Sequence, residues 1–228
     1  MEIRGAIFDM DGTLVDSLGL WDILWTQLGL QFFNDETFRP DKAIEKAIRT
    51  LTLQDGMLLL HQACGVGASG EALLRIANDI FVQFYSREVK SKAGVQDFLV
   101  YLKKKGVKMC IASATAPFLV EIALNTCGLK PFFSNIFSCS EIGKGKEYPD
   151  VFISAHTFLG TPKESTWIFE DSIVALETAK RASYHTVGVY DQNNFNIDQV
   201  AKISTVYLAK GESFTCLKNI FERGCKGT

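Results

Sequence analysis

Histidine is scarce in this 228-residue chain: His61, His156 and His185 stand singly, so neither a histidine-based metal cluster nor a Ser-His-Asp triad assembles from local sequence. The six cysteines, Cys64, Cys110, Cys127, Cys139, Cys216 and Cys225, contain no CxxC pair, which argues against a zinc site. Several lie in apolar runs such as KMCIAS, where a small buried thiol is the ordinary reading. Long uncharged stretches are missing as well. None reaches the ~18 to 20 residues of a membrane span, and the opening MEIRGAIF lacks the apolar region of a signal peptide. Nor does one sign of charge dominate. Lys and Arg number 24 against 26 Asp and Glu, a formal charge of -2, which gives no electrostatic reason to expect nucleic acid or an anionic membrane as partner. These absences predict a cytoplasmic protein that binds neither.

What is present is globular: 47% hydrophobic and 22% charged, on a length that suits one large domain or a core with a smaller companion. Short apolar runs at Ile3 to Phe8, VKMCIA (107–112), NIFSC (135–139), TWIFE (166–170) and HTVGVY (185–190) alternate with helix-like segments. That alternation predicts an open α/β sheet. Between Val15 and about Lys92 the pattern changes to helical spacing with no convincing strand, which predicts an all-helical insert. In its last helix Leu73, Leu74, Ala77, Ile80, Phe81, Phe84 and Tyr85 fall on one apolar face. Trp21 and Trp25 form an i, i+4 pair that reads as helix packing. The glycine-rich GVGASG (65–70) has no strand before it and no lysine after it, so it is a turn and not a phosphate loop. The segment NNFNIDQVAKISTVYLAKGESF reads as a peripheral helix and a short edge strand, with a fraying tail after Gly211 and no chemistry.

Ligands of an open parallel sheet bind outside the carboxyl ends of its strands, so the residues at those ends are read together. The first run ends in FDMDGTLVDS, with Asp9 and Asp11; the 107–112 run ends at Ser113; Lys146 follows NIFSC; and TWIFE leads into Glu170 and Asp171. Four acidic groups at one edge repel unless a cation sits among them, and oxygen donors without histidine point to magnesium. Ser113 opens the run SATAP, and Pro117 suits the first turn of the next helix, whose free N–H groups make an anion site. Lys146 adds the positive charge a phosphoryl group needs, with Lys144 as its competitor. Taken singly, Ser113 reads as a helix cap, Lys146 as a solvated lysine and Glu170–Asp171 as charges favoured at a helix start. Their joint placement is what favours a site.

These motifs resemble those of the haloacid dehalogenase superfamily, in its branch of phosphatases and phosphoglucomutases with a helical cap. The resemblance is carried by FDMDGTLVDS, by Ser113 after an apolar strand, by GKEYPDVF (145–152), similar to the branch's GKPxPDxF, and by FEDS (169–172). It implies a Rossmann-like parallel sheet flanked by helices, with a core of residues 1–15 and 91–228. A helical cap of residues 16–90 would hinge near Val15 and near Lys90 to Lys92. It implies Asp9 as nucleophile, forming an aspartyl-phosphate, and Asp11 as general acid and base. Mg²⁺ would be held by Asp9, the Asp11 carbonyl and Asp171, with Glu170 helping directly or through water. Ser113, the Ala114 N–H and Lys146 would bind the phosphoryl oxygens, while Gly12 and Thr13 shape the loop. Two positions depart from the branch: Ala175 replaces a common glycine, and Trp21 stands where many relatives have histidine. The implied function is a monomeric Mg²⁺-dependent phosphatase of a small phosphorylated metabolite. The alternative is a β-phosphoglucomutase-type enzyme, which carries a cap arginine near LTLQD; Leu53 matches that position and Arg49 lies close.

Overall fold

The run GAIF offers no polar position to alternate with its apolar ones, so it is stable only when both faces are covered. It forms β1 (Gly5–Phe8), all four residues buried. The computed structural model describes residues 1–223, so Cys225 lies outside the described residues. In chain order the other strands are β2 (Val15–Asp16), β3 (Lys90–Ser91), β4 (Lys108–Ser113), β5 (Ile136–Ser138), β6 (Thr166–Glu170), β7 (His185–Val189) and β8 (Val206–Leu208). The main sheet runs β5-β4-β1-β6-β7-β8, with parallel pairing throughout. The first strand is thus two residues shorter at its start than the apolar run suggests. Because β4 and β6 flank β1, the chain reverses its direction of travel across the sheet there, and the crevice at the carboxyl ends opens at that reversal.

Helices cover both faces: α5 (Val95–Lys104), α6 (Pro117–Thr126), α7 (Cys139–Ile142), α8 (Asp150–Leu159), α9 (Ile173–Arg181), α10 (Ile197–Ile203) and α11 (Cys216–Arg223) follow β3. Side chains of β1 alternate between two cores. Ala6 and Phe8 join Phe98, Trp167 and Phe169 on one face, and Ile7 joins Cys110, Phe152 and Ile168 on the other. The fraying tail expected after Gly211 does not occur in the described residues. Phe214, Leu217 and Phe221 are buried, and Phe221 meets the Trp167 ring edge-on at 5.0 Å. The apolar face left uncovered by α5 is what orders α11, and that face exists only once the sheet is assembled.

Between β2 and β3 lie four helices and no strand: α1 (Leu20–Phe33), α2 (Lys42–Ile48), α3 (Leu53–Cys64) and α4 (Gly70–Arg87). Ser69 starts α4 by accepting the Ala72 N–H, and Leu73, Ala77, Phe81 and Tyr85 bury a stripe at four-residue spacing. The glycine-rich run is the turn before it: Gly65 ends α3 in the left-handed region at φ +64°. The Trp21 and Trp25 rings lie 5.6 Å apart, and Trp25 is fully buried. The chain enters and leaves these helices through an antiparallel ribbon pairing Val15 with Ser91 and Asp16 with Lys90. Among the described residues no helix is long and apolar enough to cross a membrane.

Candidate active site

Asp9 is the first residue past β1, and its N–H donates to the Phe169 carbonyl at 2.9 Å, carrying the sheet pattern one step further. The chain then turns sharply, with the Leu14 and Val15 N–H groups both donating to the Met10 carbonyl. Gly12 makes the turn at φ +75°, and a Cβ there would lie 2.5 Å from Asp171 Oδ2. Glycine is therefore required twice over, by conformation and by contact. Thr13 Oγ1 donates to Asp171 Oδ1 at 3.0 Å, tying the turn to the end of β6.

Asp9, Glu170 and Asp171, all buried, present carboxylate oxygens within 4.8 Å of one another. Lys146, from the segment between α7 and α8, donates to both Asp9 Oδ1 and Glu170 Oε1. One ammonium faces three carboxylates. Burial pushes the Asp9 carboxyl up to about 8, with Lys146 opposing and Glu170 and Asp11 reinforcing. Burial first, then Glu170, Asp9 and Asp191, also holds Asp171 well above the usual carboxylate range. Burial acts to lower Lys146, but the charges of Asp9 and Glu170 outweigh it and hold the ammonium above its ordinary range. Fully ionised, the three carboxylates would carry more negative charge than Lys146 alone balances, and the raised Asp9 and Asp171 carboxyls answer that excess by holding protons. A donor set of carboxylate oxygens fits a hard divalent cation such as Mg²⁺.

Asp11 points elsewhere. Its carboxylate accepts from Ser17 Oγ at 2.6 Å, Tyr85 OH at 2.6 Å and Thr115 Oγ1 at 2.8 Å, so hydroxyls from the segment after β2, from α4 and from the loop before α6 converge on it. Ser113 Oγ accepts the Thr115 N–H at 3.1 Å, and α6 begins after Ala116 with Pro117 and no side-chain cap. Lys144 pairs with Asp150 at 2.6 Å in a half-exposed position, so Lys146 is the lysine that enters the cleft.

Asp9, Asp11, Ser113, Ala114, Lys146, Glu170 and Asp171 all line one cleft of about 190 Å³ between the sheet and the inserted helices. Trp21 and Phe81 face it from the helical side, so Trp21 both packs on Trp25 and borders the cleft. The segment to which no chemistry was assigned also reaches it. Asn194 Nδ2 donates to Asp171 Oδ2 at 2.7 Å and to the Asp171 carbonyl at 2.6 Å. Its place just beyond the carboxyl end of β7 was the available signal. Spacing alone places Tyr85 in the packed stripe of α4, and no sequence signal marks its hydroxyl as a partner of Asp11.

Residues 6–189 match the family described as haloacid dehalogenase-like hydrolase. A phosphorylated carbohydrates phosphatase of Thermotoga maritima is 23% identical over 185 residues, covering 81% of this chain and 84% of its own. Hexitol phosphatase B of Escherichia coli (strain K12) is 24% identical over 195 residues, covering 82% and 84%. The crystal structure of CbbY from Rhodobacter sphaeroides in complex with phosphate aligns with a TM-score of 0.79 at 19% identity, over 94% of this chain and 96% of that one. With the match spanning most of its length and the acidic turn at the sheet's reversal point, this chain belongs to the haloacid dehalogenase-like hydrolase family.

Proposed function

We propose that the protein is a Mg²⁺-dependent phosphatase that hydrolyses a small phosphorylated metabolite, a sugar phosphate above all, through an aspartyl-phosphate. The observation that carries this reading is the division of labour between two aspartates one residue apart. Asp9 lies in the acidic cluster beside Lys146, while Asp11 is held by hydroxyls toward the inserted helices. A nucleophile and a proton carrier need those two different surroundings.

In this mechanism an Asp9 oxygen attacks phosphorus and the bond to the leaving oxygen breaks. Asp11 gives that oxygen its proton. A water then attacks the acyl phosphate, Asp11 takes its proton back, and phosphate leaves with Asp9 restored. Lys146, Ser113 and the Ala114 N–H hold the phosphoryl oxygens. Asp9, Asp171, the Asp11 carbonyl and Glu170 would hold Mg²⁺, which when bound offsets negative charge on the cluster and the phosphoryl group. Residues 1–15 and 91–228 act as the core and 16–90 as a cap that closes over the cleft and excludes water. The thiols of Cys64, Cys110, Cys127, Cys139 and Cys216 are unpaired, which suits the reducing cytoplasm.

The test is phosphate release from a panel of sugar phosphates. Release should require Mg²⁺, stop in EDTA and vanish in Asp9→Asn. Full activity in EDTA, or in Asp9→Asn, would sink the mechanism. With β-glucose 1-phosphate and a trace of its bisphosphate, free phosphate should exceed glucose 6-phosphate; predominant isomerisation would make the enzyme a mutase.

A further inference from the structure

The helical side of the cleft carries two cations, Lys46 and Arg49. Lys46 is exposed at the rim, whereas the Arg49 side chain reaches inward and is 14% exposed. A guanidinium in that place invites reading as the grip for a second anionic group on the substrate. Its surroundings argue otherwise. Arg49 Nη2 lies 2.5 Å from Glu45 Oε1, one helical turn earlier, and Glu45 is itself fixed by Trp25 Nε1 at 3.1 Å. Arg49 Nη1 donates to the Asn193 carbonyl at 3.2 Å.

The Glu45–Arg49 pair therefore carries no net charge, and each terminal nitrogen of the fork already spends one N–H within the protein. A phosphate group is recognised by a cation with that fork available. A second phosphate, at about −1.5 to −2 near neutral pH, would also have to approach the Glu45 carboxylate. Each terminal nitrogen keeps one further N–H, and Arg49 Nε is buried and without a partner. N–H donors on a guanidinium whose charge is already offset by a carboxylate suit a neutral acceptor oxygen, such as a hydroxyl or carbonyl. The Trp21 and Phe195 rings lie 5.8 Å and 5.2 Å from the guanidinium carbon, and Leu53 and Phe81 extend the apolar lining.

We propose that the Glu45–Arg49 pair makes the helical half of the cleft a subsite for an uncharged leaving group. An acceptor oxygen would meet a remaining Arg49 N–H and an apolar face would meet Trp21 and Phe195, so the substrate class is esters carrying a single phosphate. This rests on the phosphatase reading of the cleft.

The test uses two compounds that differ only by a second phosphate, fructose 1-phosphate and fructose 1,6-bisphosphate. Binding to Asp9→Asn protein with Mg²⁺, by calorimetry, should favour the monophosphate at least tenfold, and wild-type kcat/KM should follow the same order. Glu45→Gln, which frees a net positive charge, should shrink that preference tenfold or more. Equal or tighter binding of the bisphosphate to the Asp9→Asn protein overturns the inference, as does an unchanged ratio in folded Glu45→Gln; if that variant does not fold, the first comparison decides alone. Monophosphate-selective binding with no phosphate release by the wild type would instead refute the phosphatase reading and leave the subsite assignment standing.

Discussion

Replacing Lys146 by methionine keeps most of the side chain's bulk and removes the ammonium that bonds both Asp9 and Glu170. The side chains of Lys146, Asp9 and Glu170 are 11%, 7% and 1% exposed, so water does little to replace what is lost. Breaking a buried ion pair on one side costs about 3–5 kcal/mol. At roughly 2–4 °C per kcal/mol for a chain of this size, the metal-free variant should melt about 6–20 °C below wild type. The sign of the pH dependence follows from Asp9. Its folded carboxyl sits at about 8 against an ordinary 3.8, because burial opposes its charge. The folded state thus keeps a proton that the unfolded state releases, and the stability this gives, full below 3.8, is lost as pH rises through about 8. The penalty of Lys146→Met should accordingly be smaller at pH 6, where Asp9 is largely protonated and the Glu170 pair alone is broken, than at pH 9. The assay is thermal unfolding in EDTA at both values, repeated with Mg²⁺, which should narrow the gap by taking over the neutralising role. Identical melting of variant and wild type at pH 9 in EDTA would refute the charge balance described for the cluster.

Tyr85→Phe removes one hydroxyl from Asp11, and a hydrogen bond to a charged group is worth about 1.5–3 kcal/mol. Its kcat should fall at least tenfold on an alkyl phosphate and much less on p-nitrophenyl phosphate, whose leaving group needs no proton; equal losses on both would refute a role through Asp11. Phe221→Ala opens a cavity against Trp167 and Phe98 and should cost about 3–5 kcal/mol in urea unfolding. A value within about 0.5 kcal/mol of wild type, the range of surface changes, would mean that α11 contributes nothing to the core.

The parallel sheet and the place of the inserted helices were legible because each depends on short-range pattern: apolar runs of strand length, and helical spacing between residues 15 and 92. The gathering of Asp9, Ser113, Lys146, Glu170 and Asp171 was legible for a related reason. Parallel pairing aligns the ends of successive strands, so residues far apart in sequence meet at one edge. What escaped sequence reading depends on paths and rotamers that no local pattern encodes. Asn194 reaches Asp171 only because the segment after β7 folds back over β6. Tyr85 belongs to an apolar stripe by spacing, yet its hydroxyl leaves the stripe and crosses to the core. Arg49 reads as a free cation until Glu45 is seen beside it. The ordered α11 depends on an apolar face assembled from Phe98, Trp167 and Phe169.

The ribbon of Val15–Asp16 against Lys90–Ser91 has a consequence for how such a chain can change over generations. The backbone departs from the sheet and comes back at directly paired residues, so everything between them is an excursion whose two ends already touch. An excursion of that kind can be lengthened, trimmed or exchanged without altering the separation its neighbours must span. The acidic turn and the strand ends stay where they are while the wall opposite them is rebuilt. Selection can therefore try new leaving groups against unchanged phosphoryl chemistry, and this chain's neutralised Glu45–Arg49 pair would be one outcome of that freedom.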